Sequence, residues 1–210
     1  MAIDRHELPP AGGDDALHPE LLANPAMLWA GREAWARVAR CEPSIGRTLL
    51  RVVLPFAGVP PLMMLYAVRV HPQVFGLAAD GRQWEWLAVA LLLAECATVW
   101  LMGLMLHVVP AEDRARPSRE QAFLLAALAA APLWGSAVIL LVPSIAAVLV
   151  GFVLGQAASV RMLCLGLQAL RPAADELEGM HLAIMTQSTA LVVWVLLFGL
   201  FLISMVMPAT

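Results

Sequence analysis

Long apolar runs dominate the chain from Leu49 onwards, and charged residues fall mostly between them. A helix that crosses a bilayer needs about 20 mostly apolar residues, because the hydrocarbon core is ~30 Å thick and a helix rises about 1.5 Å per residue. The clearest run, Ala122 to Val142, has no ionisable residue. The runs of sufficient length are 49–68, 86–109, 122–142, 144–170 and 182–207. The pattern therefore predicts an all-α membrane protein, a five-span transmembrane helical bundle.

The segment before the first span has a different composition. Residues 1–24 are acidic and rich in Pro and Gly, which predicts a disordered cytoplasmic tail. Residues 25–47 predict a short amphipathic juxtamembrane helix, because Asn24 is a favourable N-cap and Pro25 suits the first helical position. This helix either lies on the anionic membrane surface or packs on the cytoplasmic end of the bundle. Residues 48–210 then form the membrane domain.

Composition and charge narrow the class of protein further. Apolar residues make up 61% of the chain and charged residues 14%, whereas soluble domains are ~45–50% apolar. The net charge of −3 argues against nucleic acid as a partner. Two of the three cysteines lie inside apolar runs, so we expect no disulfide framework.

Arginines are distributed unevenly around the predicted spans. If the N-terminus lies in the cytoplasm, nine arginines adjoin cytoplasmic span ends and two adjoin the opposite ends. The nine are Arg32, Arg37, Arg40, Arg47, Arg51, Arg114, Arg116, Arg119 and Arg171, and the two are Arg69 and Arg82. Because positive residues accumulate on the cytoplasmic side, this bias predicts a multi-pass protein with a cytoplasmic N-terminus and an extracytoplasmic C-terminus.

Small residues recur at every fourth position in two adjacent spans. They are Ala127, Ala131 and Gly135 in the third span and Ala147, Gly151, Gly155 and Ser159 in the fourth. Helices in lipid associate through close packing at small residues, since apolar burial gains nothing against apolar lipid. The stripes therefore predict close helix contacts, with each other or with neighbouring spans. The alternative is coincidence in a chain rich in Ala and Gly.

Glu95 is the strongest candidate for a functional residue within the membrane. It lies ten residues into the second span, ~14 Å along the helix axis and hence near the midplane. An acid at that depth costs roughly 2.5–3.5 kcal/mol on insertion scales and marks a candidate functional site. Glu95 could relay protons or bind a cation, or it could be a neutral acid that hydrogen-bonds to a neighbouring helix. The predicted spans hold no second acid, which favours the structural interpretation.

Other polar residues in the fourth span have competing interpretations. Arg161 lies ~25 Å along the helix from Ser144, so its side chain is expected to reach the cytoplasmic interface. Pairing between Arg161 and Glu95 is the alternative if Arg161 lies deeper. Gln156 and Ser159 are expected to add hydrogen bonds between helices.

Recognisable catalytic or metal-binding motifs are lacking in the sequence. Glu178 and His181 have a spacing used in metal-binding helical bundles, but a solvated acidic loop is the favoured interpretation. The chain has no phosphate-binding glycine loop, nucleophile elbow or zinc-protease motif. We therefore expect no catalytic activity, no cofactor and no metal.

Three stretches combine into a family resemblance. They are "NPAMLWAGREAWARVARCEPSIGRTLLRVVLPFAGVPPLMMLY", "APLWGSAVILLVPSIAAVLVGFVLG" and "RMLCLGLQALRPAADE". They contain a Pro-Trp segment before a proline-broken first span, a hairpin interrupted by proline, and a Leu-rich exit followed by Pro and acidic residues. From Asn24 to Met207 the chain resembles the Yip1 family, in particular its small bacterial members. The resemblance implies a five-span protein of the cell inner membrane. The Asp-Leu-Tyr-Gly-Pro motif of eukaryotic members is absent, so no GTPase partner is implied.

Together these patterns predict a non-catalytic scaffold, or an organiser of membrane proteins or lipids. Its expected partners are membrane lipids, with other membrane proteins or a second copy of the chain as further candidates. The alternative is a small transporter or channel that uses Glu95. Polar groups that converge on Glu95 around a cavity would favour that alternative.

Overall fold

A computed structural model of the chain describes Trp35 and residues 44–75, 81–109, 116–171 and 176–206. These residues contain five helices that are long and apolar enough to cross a membrane. We name them α1 (Ile45–Val70), α2 (Gly81–Val108), α3 (Arg119–Ser136), α4 (Ile145–Leu170) and α5 (Glu176–Val206). Every regular element in the described ranges is helical. The predicted all-α, five-span architecture is therefore confirmed, and the protein is a polytopic membrane protein.

The predicted tail and most of the predicted juxtamembrane helix lie outside the described residues. Within residues 1–43 only Trp35 is described, and its side chain is buried in the hydrophobic core. A β-carbon built on Gly166 would lie 2.9 Å from the Trp35 ring, so this glycine leaves room for the indole against α4.

Helix α1 changes its hydrogen-bonding pattern at its prolines. Pro55 has no N–H group to donate to the carbonyl four residues earlier, which disfavours a regular α-helix at that point. The chain forms a wider π-helical turn over Leu49–Val53 instead, and a second irregularity follows at Gly58, before Pro60. The interruption that the prolines predict in the first span is present in the structure.

Helix α3 is the centre of the bundle. It contacts α1, α2 and α4, and every residue from Ala122 to Ala130 is buried. The helix begins with a capping box. Ser118 Oγ accepts a hydrogen bond from the Gln121 backbone N–H, and Gln121 Oε1 accepts one from the Ser118 backbone N–H. After Ser136 the chain continues as a 3₁₀ segment, Ala137–Leu141. Helix α5 closes the bundle against α2 and α4.

Glycines in α4 allow the end of α3 to approach closely. A β-carbon on Gly155 would lie 2.8 Å from Ser136 Oγ and 3.2 Å from the Leu133 Cα atom. One on Gly151 would lie 3.0 Å from the Ile139 side chain. These two members of the predicted stripe therefore lie at the contact between the third and fourth spans.

The other small residues of the two stripes have different surroundings. Ser159 is fully buried and faces α5, where its hydroxyl donates to Gln187. Ala127 is buried, whereas Ala131 and Ala147 are half-buried. Gly135 is exposed, and a β-carbon there would meet open space. Each stripe thus contributes to helix contacts over only part of its length.

Candidate intramembrane site

Glu95 lies in the middle of α2 with its side chain buried, and two indoles hydrogen-bond to it. Trp134 of α3 donates to Oε2 at 2.7 Å, and Trp194 of α5 donates to Oε1 at 3.0 Å. Trp134 is itself fully buried. One carboxyl group therefore links three helices. Both of its oxygens act as acceptors, and further lone pairs on them remain available.

A second polar network joins α4 to α5. Ser159 Oγ donates to Gln187 Oε1 at 3.1 Å, and Gln187 Nε2 donates to Gln156 Oε1. The Nε2 atom of Gln156 is buried and has no hydrogen-bond partner within the described part of the chain. Because an unpaired buried donor is costly, this amide is a ready contact for an acceptor on a bound molecule.

Both networks line one cavity of about 350 Å³ in the interior of the bundle. All five spans contribute to its wall, from Pro60 and Met64 of α1 to Leu191 of α5. Its polar lining residues are Glu95, Thr98, Ser136, Gln156, Ser159 and Gln187, together with the two indoles. The remaining wall is apolar. This combination of apolar walls and a few hydrogen-bonding groups is typical of small-molecule sites.

Helical spacing explains why these side chains meet. Residues three, four or seven positions apart share one face of a helix. Gln187, Leu191 and Trp194 follow this spacing on α5, and Glu95 with Thr98 does so on α2. The Thr98 hydroxyl donates to the Ala94 carbonyl within its own helix. Each span therefore turns one such face towards the cavity.

Of the predicted polar residues, the structure brings Glu95 and Gln156 to the same cavity and places Arg161 elsewhere. Arg161 is an exposed residue of α4 and does not line the cavity. The groups that bond to the Glu95 carboxyl are indoles rather than a guanidinium.

Sequence reasoning missed the three residues that hydrogen-bond to the predicted polar groups, Trp134, Trp194 and Gln187, and it missed Thr98 and Ser136 in the cavity wall. A signal was available for the two indoles and for Gln187, because Trp134 and Trp194 lie well inside their apolar runs and Gln187 is the sixth residue of its run. An indole or an amide at that depth needs a hydrogen-bond partner.

The Glu178 and His181 pair lies away from the cavity. Glu178 accepts a hydrogen bond from the buried Arg171 guanidinium at 2.9 Å, and His181 is exposed. Within the described ranges, no three His, Cys, Asp or Glu side chains come together in a way that could hold a metal ion.

The chain matches no protein-family model, no curated protein and no solved structure. Function is therefore inferred from the chemistry of the cavity itself. Its apolar walls suit a hydrocarbon group, and its two polar networks suit a molecule with one polar end.

Proposed function

We propose that this protein is a non-catalytic, Yip1-like membrane protein that organises membrane lipids by binding them in its central cavity. The observation that supports this role is the cavity of about 350 Å³ to which all five spans contribute. Protein interiors are normally close-packed, with few voids larger than a water molecule. This cavity has the volume of roughly a dozen water molecules at ~30 Å³ each, so it is large enough for part of a lipid.

The character of the wall supports a lipid rather than a water-soluble ligand. Side chains such as Leu91, Met102, Phe152 and Leu191 form most of it. An apolar chain gains dispersion contacts there, and the few polar groups would orient one polar end of the molecule. Binding in the bundle would hold the lipid at a defined place and depth, which is what an organising role requires.

A second candidate function is a small transporter or channel centred on Glu95. It is favoured by the convergence of Glu95, Gln156 and Gln187 on the same cavity. A transporter must release its substrate on the other side of the membrane, whereas a lipid organiser retains it. Proton or cation flux into proteoliposomes that contain the wild-type chain would support the transporter, and the organising role predicts no such flux.

Photo-crosslinkable phospholipids test the lipid-binding role directly. We expect crosslinks to cavity residues such as Met102 and Phe152 in the wild-type protein. Ala190→Phe should abolish those crosslinks, because Ala190 is buried in the cavity wall and the larger ring fills the space. Leu196→Phe is the control, since Leu196 is 65% exposed on α5. Mass spectrometry of the crosslinked peptides is the measurement.

Crosslinks confined to outward-facing side chains in the wild-type protein would contradict the proposal. Unfolding midpoints in detergent check that Ala190→Phe remains folded. If this variant does not fold, Leu191→Trp fills the same cavity from the neighbouring position.

The proposal places the protein in the cell inner membrane with its N-terminus in the cytoplasm, in accord with the arginine distribution. Five spans put the two ends of the membrane domain on opposite sides. A phosphatase reporter fused after Thr210 should be active only on the extracytoplasmic side. A reporter inserted beside Arg116, between α2 and α3, should be active only in the cytoplasm. The reverse activities would contradict this orientation.

A further inference from the structure

A second cavity, an open groove of about 810 Å³, lies between the outer surfaces of α1, α3 and α4. Its wall is apolar and includes Val52 and Phe56 of α1, Leu128 of α3, and Leu154 and Met162 of α4. Leu154 is 63% exposed, so the groove faces the space that lipid chains occupy. We call this cavity the lipid-facing groove.

The groove and the central cavity adjoin each other at the end of α3. Ser136 and Ile139 line both of them. Ile139 belongs to the 3₁₀ segment Ala137–Leu141, whose hydrogen bonds have poorer geometry than those of an α-helix. The Ile139 side chain lies against Gly151 of α4. A molecule that spans both spaces therefore has to displace the Ile139 side chain, whereas the packed backbone at Leu133 can stay in place.

The carboxyl group at the inner end of this path selects the ligand. In the part of the chain that the structure describes, Glu95 accepts from two neutral indoles and forms no salt bridge. A buried carboxyl group is costly to ionise without a cation beside it, and an ammonium group would supply both that charge and N–H donors. The aromatic rings of Trp134 and Phe152 in the same cavity wall also favour a cation. A phosphate or carboxylate head would be repelled.

We infer that the central cavity and the lipid-facing groove together bind a single-chain amphiphile with an ammonium head. The head group lies at Glu95 and the hydrocarbon tail lies in the groove. The Gln156 Nε2 group, which has no hydrogen-bond partner among the described residues, lies in the same cavity as Glu95 and donates to a hydroxyl or carbonyl next to the ammonium. This inference rests on the proposed lipid-binding function and names the class of lipid.

Three probes with the same tail test the head-group preference: dodecylamine, dodecanol and dodecanoate. The wild-type chain is held in a nonionic maltoside detergent, and binding is measured from the rise in unfolding midpoint and by native mass spectrometry. We expect dodecylamine to bind at least about tenfold more tightly than dodecanol, because hydrogen bonds to charged groups are the stronger ones. Dodecanoate should bind most weakly. Glu95→Gln should bring dodecylamine to the level of dodecanol.

The outcomes separate the inference from the proposed function. Equal binding of amine and alcohol would overturn the ammonium head and leave lipid binding intact. Failure of all three probes, together with an absence of phospholipid crosslinks in the cavity, would overturn both. The comparison of probes on the wild-type chain decides the head group even if Glu95→Gln does not fold.

Two matched glycine variants test where the tail lies. Gly135 lines the groove and a side chain there meets open space, so Gly135→Leu fills the groove without disturbing helix contacts. Gly199 of α5 also has open space around it but lies outside the groove. We expect Gly135→Leu to weaken dodecylamine binding several-fold and Gly199→Leu to leave it unchanged. Wild-type affinity in Gly135→Leu would overturn the placement of the tail.

Discussion

Replacing Glu95 with leucine should lower the free energy of unfolding by about 1–3 kcal/mol. The substitution removes the acceptor of two indole N–H groups, one on Trp134 and one on Trp194. Hydrogen bonds between membrane helices contribute about 0.6 and at most ~1.7 kcal/mol each, and two are lost here. Reversible unfolding in mixed micelles, followed by circular dichroism, is the measurement.

Two milder variants calibrate this result. Trp194→Phe keeps the carboxyl group and removes one of its two hydrogen bonds, so its effect should be intermediate. Glu95→Gln keeps one acceptor oxygen but turns an amide N–H towards the other indole, so it should also lose about half of the stabilisation. If Glu95→Leu unfolds like the wild-type chain, the carboxyl group does not hold the three helices together.

Gly155→Leu should destabilise the bundle by about 1–3 kcal/mol, the usual cost of overpacking. The leucine side chain would have to displace Ser136 and the backbone at Leu133, which lie within 3.2 Å of the new β-carbon. Backbone atoms that are packed inside the bundle cannot move aside for the new side chain as easily as the end of a flexible side chain could. The same unfolding measurement applies.

Gly135→Leu is the matched control, because it makes the same change in the facing helix where a β-carbon meets open space. It should leave the stability within a few tenths of a kcal/mol of wild type, or raise it through the better helix propensity of leucine. Equal destabilisation by the two variants would show that the approach of α3 to Gly155 does not matter.

The sequence by itself determined the number of spans and their approximate positions. Each span is recognised from about 20 consecutive apolar residues, because a helix of that length matches the thickness of the hydrocarbon core. The break in α1 could also be predicted from a short stretch of sequence, because Pro55 has no backbone N–H to donate in any environment. The depth of Glu95 in α2 followed from counting residues along one helix.

Only the tertiary structure decided what Glu95 meets. The indoles of Trp134 and Trp194 come from two other spans, whereas the sequence indicated only an unspecified group on a neighbouring helix, with Arg161 as the alternative. Which side chains meet depends on the rotation of each helix about its own axis, and the sequence does not give that rotation. In lipid, an apolar residue is equally acceptable on the outer face and in the interior, so apolar periodicity does not report that rotation. Leu91 is buried and Leu93 is 64% exposed on the same helix, although the residue type is identical. Packing of all five helices against one another settled their rotations, and with them the cavity.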